Sequence, residues 1–289
     1  MKIALVCYKK QEKYSTGAPD EDQALLQFLL NKGLDIDHVI WNDPLADWTK
    51  YGIAVLKSPW DYHEQFGAFN VWLDKLETLK IRLLNPYAII RQNSDKHYLQ
   101  EIAASGLKLI PSLFLEKNSK AELNYFFKTF NTPALIIKPC VSASAKNTLV
   151  VNPGNVSERQ LQLNAFLNEE SFMVQPFVNE IVAGELSFIF FGGEYSHAVI
   201  KLPKTGDFRV QHFHGGTIKK YEAAPEHIVA AKKYTDQFAA GCLYARVDGL
   251  IIEGSFKLME LELIEPYLFL NTDNGAYERY YEALLRLMY

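Results

Sequence analysis

The stretch LYARVDGLIIEGSFKLMELELI, residues 243–264, is the part of the chain that decides its fold. It contains two largely apolar runs, 243–252 and 256–264, separated by the turn-forming residues 253–255. Two such runs joined by a short glycine-containing turn predict a β-hairpin.

Three carboxylates lie on this predicted hairpin among apolar neighbours. Side chains two apart in a strand share a face, so Glu260 and Glu262 point the same way, and strand pairing can bring Asp248 beside them. Carboxylates gathered on an apolar hairpin are costly unless their charge is compensated. Magnesium bound to nucleotide phosphates is a natural compensator, because it takes oxygen ligands. The alternative is a solvated outer strand face, where alternating glutamates are common.

Two lysines are candidates for binding phosphate. Lys138 ends the apolar run 135–137, and the small residues 142–145 follow it, so the loop N–H groups could help the lysine to hold an anion. Lys96 follows a helix-cap sequence and is predicted in the first turn of a helix that ends near Ser105. A cation is unfavourable there unless an anion binds nearby. The alternative for each is an ordinary surface lysine.

The segment Met173 to Val178 reads as a strand that leaves one lobe, with Pro176 stiffening its exit. Such a connector can offer backbone groups to the edge of an adenine ring. The alternative is a simple linker between lobes.

A second pair of cations flanks a predicted turn. Lys201 precedes residues 203–207 and Arg209 follows them. Cations near the carboxylate hairpin would suit a transferred phosphoryl group and an acyl oxyanion. The alternative is a basic loop tip in solvent.

Other chemical signatures are weak or missing. His212 and His214 would share a strand face, but no third ligand adjoins them, which argues against a zinc site there. The sequence contains no GxSxG, GxxxxGK[ST] or GxGxxG motif, so hydrolase-elbow, P-loop and Rossmann sites lack their signals.

The order of predicted elements divides the chain into three parts. Strands and helices alternate in residues 1–95, which predicts a parallel sheet with helices on its faces and working loops such as 57–63 at its C-terminal edge. Residues 96–178 form a helix and a small α+β insert. Residues 179–289 form a strand-rich, antiparallel lobe.

Composition excludes several classes of function. The net charge of −4 offers no basic footprint for nucleic acid, and no apolar run approaches the ~20 residues of a membrane helix. The N-terminus reads as a buried strand rather than a signal peptide. The cysteines Cys7, Cys140 and Cys242 are widely spaced, which is typical of reduced core thiols in a cytoplasmic protein.

Taken in this order, the segments resemble the ATP-grasp superfamily, in its glutathione-synthetase-like branch. Within that branch the chain is similar to the cyclo-ligase family that closes O-ureido-D-serine to D-cycloserine. The likeness is carried by residues 60–62, 138–145, 206–211 and 259–266. The resemblance implies an α/β (α+β) fold with an N-terminal parallel-sheet lobe, a small α+β lid and a C-terminal antiparallel-sheet lobe.

The resemblance also implies roles for individual residues. Phosphate would be bound by two lysines and a small-residue loop: Lys96, Lys138, Ser142 and Ser144. An adenine hinge would follow: Gln175, Pro176, Phe177 and Val178. Glu185 would hold the ribose hydroxyls. Magnesium would be bound by Asp248, Glu260 and Glu262, and Arg209 with Lys201 would steady the transferred phosphoryl group. Two positions depart from the family pattern: the loop is usually glycine-rich, and Glu262 is often asparagine.

The implied activity is an ATP-dependent carboxylate–amine ligation, or an intramolecular cyclisation, through an acyl phosphate on a small amino-acid-like substrate. Its cofactors would be ATP and two magnesium ions, which manganese can replace. Its partners would be a carboxylate and an amine, with no nucleic acid or membrane, and a homodimer would be in keeping with similar ligases. The lid, residues 111–176, would exclude water, and Trp60, Asp61 and Tyr62 would help to hold substrate. The two aromatic rings could equally belong to the core.

Two alternatives to a ligase remain open from the sequence. One is a regulatory or scaffold protein that only binds nucleotide. The other is a small-molecule kinase, which would release ADP without using an amine.

Overall fold

The computed structural model describes residues 1–9, 20–143, 146–204 and 215–288. Ser144, Arg209 and the predicted strand 208–214, with His212 and His214, lie outside these residues.

The chain divides into two compact units. Met1–Ser94 and Ile181–Tyr289 form the first unit, and Asp95–Glu180 form the second. The boundaries drawn from the sequence, 1–95, 96–178 and 179–289, stay a prediction.

The first unit begins with a parallel sheet. Its strands are β1 (Ile3–Cys7), β2 (Ile36–Ile40), β3 (Ile53–Ser58) and β4 (Arg82–Leu84), in the order β2-β1-β3-β4. All neighbouring strands are parallel, as the alternation of strands and helices predicted. The helices of this part are α1 (Glu21–Asn31), α2 (Phe66–Thr78) and α3 (Tyr87–Asn93).

Helix α1 shows why these residues fold locally as they do. The Asp20 side chain accepts a hydrogen bond from the Gln23 N–H at 3.1 Å and so caps the helix. Leu25 and Leu29 are fully buried on one side of it. Gly33 follows its C-terminal end with φ +83°, a left-handed conformation that favours glycine.

The second unit has an antiparallel sheet. Its strands are β5 (Leu113–Leu115), β6 (Leu135–Pro139), β7 (Leu149–Val151) and β8 (Phe172–Pro176), in the order β5-β8-β6-β7. Its helices are α4 (Tyr98–Ala104), α5 (Leu123–Phe130) and α6 (Val156–Phe166).

The first unit continues with an antiparallel sheet. Its strands are β9 (Glu185–Phe191), β10 (Glu194–Leu202), β11 (Thr217–Lys220), β12 (Tyr244–Ile252) and β13 (Ser255–Glu262), in the order β11-β10-β9-β12-β13. Helices α7 (Pro225–Phe238) and α8 (Ala276–Met288) accompany it. One hydrophobic core includes Ile3 and Leu5 of the parallel sheet together with Ile189 and Phe191 of this one. Within the described ranges, no helix has the length and apolar character needed to cross a membrane.

One sequence prediction fails at Lys96. The expected helix with Lys96 in its first turn is wrong, because α3 ends at Asn93 and α4 begins at Tyr98. The N–H of Lys96 instead donates to the carbonyl of Cys140 at 2.9 Å. Lys96 therefore lies outside the first turn of a helix, and no bound anion is needed to explain a cation there.

A buried ion cluster ties the parallel sheet to the chain that follows β13. Lys57 is 1% exposed, and its Nζ lies 2.9 Å from Glu21 Oε1 and 3.2 Å from Asp22 Oδ1. Glu21 also accepts hydrogen bonds from the N–H groups of Leu268 and Leu270, each at 2.8 Å. One carboxylate therefore positions helix α1, strand β3 and residues 268–270.

We predict that Lys57→Met lowers the free energy of unfolding by about 3–5 kcal/mol, because it leaves Glu21 and Asp22 buried without their cation. Urea denaturation measures this loss. Lys50→Met is the control, since the exposed pair of Lys50 with Asp47 should contribute under about 1 kcal/mol. Equal stability of the two variants would contradict the role given to Lys57.

Candidate active site

The antiparallel sheet of the first unit collects charged side chains on one face. Strand pairing sets Lys201 opposite Glu185, and Arg246 opposite Glu262. Asp248 lies opposite Glu260 on one side and Ser187 on the other. Paired residues of neighbouring strands point to the same face. The predicted pairing that brings Asp248 beside the two glutamates is confirmed.

Two cations lie between the carboxylates of this cluster. Lys201 Nζ is 3.1 Å from Asp248 Oδ2 and also contacts Glu185 Oε1 closely. Arg246 donates bidentate hydrogen bonds to Asp248, with Nε 3.0 Å from Oδ1 and Nη2 2.9 Å from Oδ2. The same Nη2 contacts Glu262 Oε1. Each cation therefore bridges two carboxylates.

Asp248 is the centre of this network. Its Oδ1 also accepts a hydrogen bond from Ser187 Oγ at 2.6 Å. Burial alone would raise the pKa of Asp248, but the charges of Arg246 and Lys201 outweigh burial and hold the pKa well below its usual range. Asp248 is therefore an anion at neutral pH.

The other carboxylates are affected more by burial. Burial raises the pKa of Glu262 to about 7 although Arg246 opposes the rise, and the charges of Asp248 and Glu260 add to it. Burial likewise raises the pKa of Glu185, against the opposing charge of Lys201. Asp248 is 3% exposed, and Glu260 and Glu262 are half-buried, so this is not the fully solvated outer strand face that the sequence left open.

The donor groups of the cluster suit a divalent cation. Glu185, Asp248 and Glu262 share two cations, and Glu260 lies beside Asp248 on the neighbouring strand. Carboxylate oxygens are the ligands that magnesium prefers. The donor set therefore fits the metal that the resemblance implies.

Arg246 is a member of this site that the sequence did not assign. Its side chain is 7% exposed, and its Nη1 also donates to the Tyr267 carbonyl at 2.9 Å. The available signal was its position two residues before Asp248, which puts both on one strand face.

Two of the predicted phosphate-binding residues meet in the second unit. Lys96 Nζ donates to the Ser142 carbonyl at 2.9 Å and lies 3.4 Å from its Oγ. Ser142 Oγ donates in turn to the Pro139 carbonyl at 3.0 Å. Lys138 lies half-buried on β6. The structure thus brings Lys96 to the loop that follows β6.

The predicted adenine hinge begins at the end of β8. Gln175 Nε2 donates to Ser112 Oγ at 2.9 Å, which fixes this side chain within the unit. Pro176 has no N–H, and the N–H of Phe177 donates to the Ala134 carbonyl at 2.9 Å. Val178 follows them and is half-buried.

The segment 60–62 belongs mainly to the interior of the first unit. Asp61 is 1% exposed and accepts from Trp41 Nε1 at 2.6 Å, and Tyr62 is a core aromatic. Trp60 is half-buried, and its Nε1 donates to the Glu265 carbonyl at 3.0 Å. The core alternative therefore holds for Tyr62.

Two known sequence families match this chain. Residues 100–272 match the family described as "Prokaryotic glutathione synthetase, ATP-grasp domain". Residues 3–85 match the family described as "D-cycloserine synthetase DcsG, N-terminal domain". The first match covers more than half of the chain.

Individual proteins agree with these family matches. The "Cycloserine biosynthesis protein DcsG" of Streptomyces lavendulae is 24% identical over 273 residues, which are 90% of this chain and 91% of that protein. The crystal structure of D-cycloserine synthetase DcsG matches with a TM-score of 0.87 at 24% identity, over 99% of this chain and 100% of that chain. D-alanine–D-alanine ligase from Bacillus anthracis, crystallised with ATP, matches with a TM-score of 0.74 at 13% identity, over 99% and 97% of the two chains.

The fold class and the family predicted from the sequence are therefore confirmed. The matches favour a ligase over the scaffold and kinase alternatives, and ATP-grasp ligases use ATP with a divalent metal. The chain belongs to the glutathione-synthetase-type ATP-grasp family and is an ATP-dependent carboxylate–amine ligase that releases ADP and phosphate.

Proposed function

We propose that Asp248, Glu260 and Glu262 hold two magnesium ions together with the phosphates of ATP. The observation that carries this proposal is the cluster on β9, β10, β12 and β13, where Glu185, Asp248 and Glu262 contact Lys201 or Arg246 and Glu260 is paired with Asp248 on the neighbouring strand. When bound, the metal neutralises charge on the phosphate oxygens. Manganese, with similar oxygen ligands, should replace magnesium.

The cations of the site have separate tasks in this proposal. Arg246 fixes Asp248 and Glu262 from one side, so it positions metal ligands. Lys201 lies between Glu185 and Asp248. It is proposed to contact the phosphoryl group during its transfer. Arg209, outside the described residues, is proposed to act beside it, on the strength of the resemblance.

Residues of the second unit are proposed, on the strength of the resemblance, to bind phosphate. Lys96, Lys138 and Ser142, with Ser144, are proposed to bind phosphate oxygens through their charge and through the loop N–H groups.

The hinge Gln175–Val178 is proposed to bind the adenine edge. Pro176 lacks an N–H, and the N–H of Phe177 already donates to the Ala134 carbonyl. We therefore assign the N–H of Val178 as the group that donates to adenine. Glu185 is proposed to hold the ribose through Oε2, because Oε1 contacts Lys201.

In the proposed reaction, the carboxylate of an amino-acid-like substrate attacks the γ-phosphorus of ATP, so that ADP leaves and an acyl phosphate forms. An amine then displaces phosphate from the acyl carbon and loses a proton, and a C–N bond replaces the C–O bond. Lys201 offsets charge that spreads over the phosphoryl oxygens. The match of residues 3–85 to the D-cycloserine synthetase N-terminal domain supports O-ureido-serine as the first substrate to test, with ring closure as the outcome.

The remaining assignments are also proposals. The buried thiols Cys7, Cys140 and Cys242 support a reducing compartment such as the cytoplasm. A homodimer remains the expectation from similar ligases, and sedimentation analysis measures it.

We predict that ADP release from magnesium-ATP depends on an amino-acid-like substrate and falls in two variants. Asp248→Asn should lower kcat/KM at least about 100-fold, because it removes a charged ligand of the metal that neutralises the phosphate oxygens. Lys138→Ala should raise the KM for ATP about tenfold or more, as expected for a lost charge-assisted hydrogen bond.

The exposed Glu282 provides the matched control, and Glu282→Gln should behave as wild type. A substrate panel should include O-ureido-serine of both hands. Substrate-dependent ADP release that is unchanged in Asp248→Asn would refute the assignment of the carboxylate cluster.

A labelling experiment tests the acyl phosphate. With a substrate carboxylate enriched in ¹⁸O, one labelled oxygen should pass to each phosphate released, because the phosphoryl group leaves with a carboxylate oxygen. Mass spectrometry of the phosphate and of the amide-containing product measures both. Unlabelled phosphate alongside an amide product would exclude this intermediate.

A further inference from the structure

We propose that Asp95, His97 and Cys140 of the second unit bind a zinc-type divalent cation. This site is different from the carboxylate cluster of the first unit and plays no part in the function proposed above. Its ligands come from the turn before α4 and from the residue that follows β6.

The three ligand atoms already converge. One carboxylate oxygen of Asp95, one ring nitrogen of His97 and Cys140 Sγ all lie within 4.8 Å of one another. Zinc bonds to such ligands are about 2.0–2.3 Å long, which separates neighbouring ligands of a tetrahedron by roughly 3.3–3.8 Å. Adjustments of about 1 Å would therefore suffice to close these side chains around an ion, with water as the fourth ligand.

The backbone holds the two contributing segments together. The N–H of Lys96, between Asp95 and His97, donates to the Cys140 carbonyl at 2.9 Å. The N–H of Cys140 donates to the Ser171 carbonyl at 2.9 Å. The segments that carry the ligands are thus joined by main-chain hydrogen bonds and do not have to be ordered by the ion.

The orientation of His97 is the second observation. Its Nδ1 lies 2.5 Å from Asp95 Oδ1, and its Nε2 lies 3.2 Å from Glu116 Oε1. Ser171 Oγ donates to the other oxygen of Glu116 at 3.3 Å. A metal-bound histidine commonly donates its second N–H to a carboxylate, which fixes its tautomer. Here Nδ1 would face the cation while Nε2–H donates to Glu116.

Neighbouring groups restrict both ligands further. The His97 ring stacks on Phe114, with centroids 4.5 Å apart and an interplanar angle of 29°. The Asp95 carboxylate also accepts a hydrogen bond from the backbone N–H of His97 at 3.0 Å. Before the cation binds, these contacts keep the carboxylate and the imidazole on the same side of the turn.

The donor set selects the type of cation. Sulfur, nitrogen and oxygen together suit zinc, whereas magnesium and calcium take oxygen ligands. Cys140 is 1% exposed, and it would bind the cation as a thiolate after losing its proton.

Cobalt(II) titration of the full chain, without nucleotide, tests this site. Cobalt replaces zinc in such sites, and a cobalt–thiolate bond gives a charge-transfer band in the near ultraviolet. Wild type should show a saturable band that zinc abolishes. Cys140→Ser should lose the band, His97→Ala should weaken cobalt binding at least tenfold, and Glu116→Gln should weaken it about 10–100-fold.

Two controls isolate the site. Cys242→Ser removes another buried thiol and should retain the band, as should Glu260→Gln in the carboxylate cluster. Circular dichroism shows whether each variant is folded. If Cys140→Ser does not fold, His97→Ala decides the outcome, because His97 is 28% exposed and its truncation leaves the core intact. Absence of a band in folded wild type, or a band of unchanged affinity in His97→Ala, would overturn the proposal.

Discussion

The candidate active site depends on two cations that lie between three carboxylates, those of Glu185, Asp248 and Glu262. Buried like charges on neighbouring strands repel each other and lose their hydration, so they remain together only if cations lie among them. Arg246 and Lys201 provide this compensation from opposite sides of Asp248, and each also reaches one glutamate. The carboxylate oxygens of the cluster are of the type that binds a divalent cation, which is the basis of the metal site proposed here.

The antiparallel sheet produces this arrangement by pairing distant parts of the chain. Strand β9 brings Glu185 and Ser187 between the strands that carry Lys201 and Asp248. The register of β12 on β13 shifts directly after Asp248, at Gly249. A Cβ on Gly249 would lie 2.3 Å from the Lys257 carbonyl oxygen, so only glycine allows this close approach. The irregularity therefore sits beside the central carboxylate.

The sequence predicted those features that local patterns encode. Alternation and the Glu253-Gly254 turn gave the hairpin and the shared face of its carboxylates, and the family likeness gave the ATP-grasp fold. The partners of Lys201 could not be predicted, because they are set by long-range strand register. Lys96 was wrongly placed in a helix, because the local sequence does not show that its backbone N–H donates to the carbonyl of Cys140. Arg246 was overlooked, because its role appears only once both its carboxylate partners are in place.

The central claim is that this cluster binds the metal of the nucleotide. The most direct test is to measure manganese binding in the presence of ADP, which does not require the substrate. The loss of the electron paramagnetic resonance signal of free Mn²⁺ reports the binding. We expect tight binding by wild type and by Glu282→Gln, and binding at least about tenfold weaker in the double variant Glu260→Gln/Glu262→Gln. Manganese affinity equal to wild type in the folded double variant would contradict it.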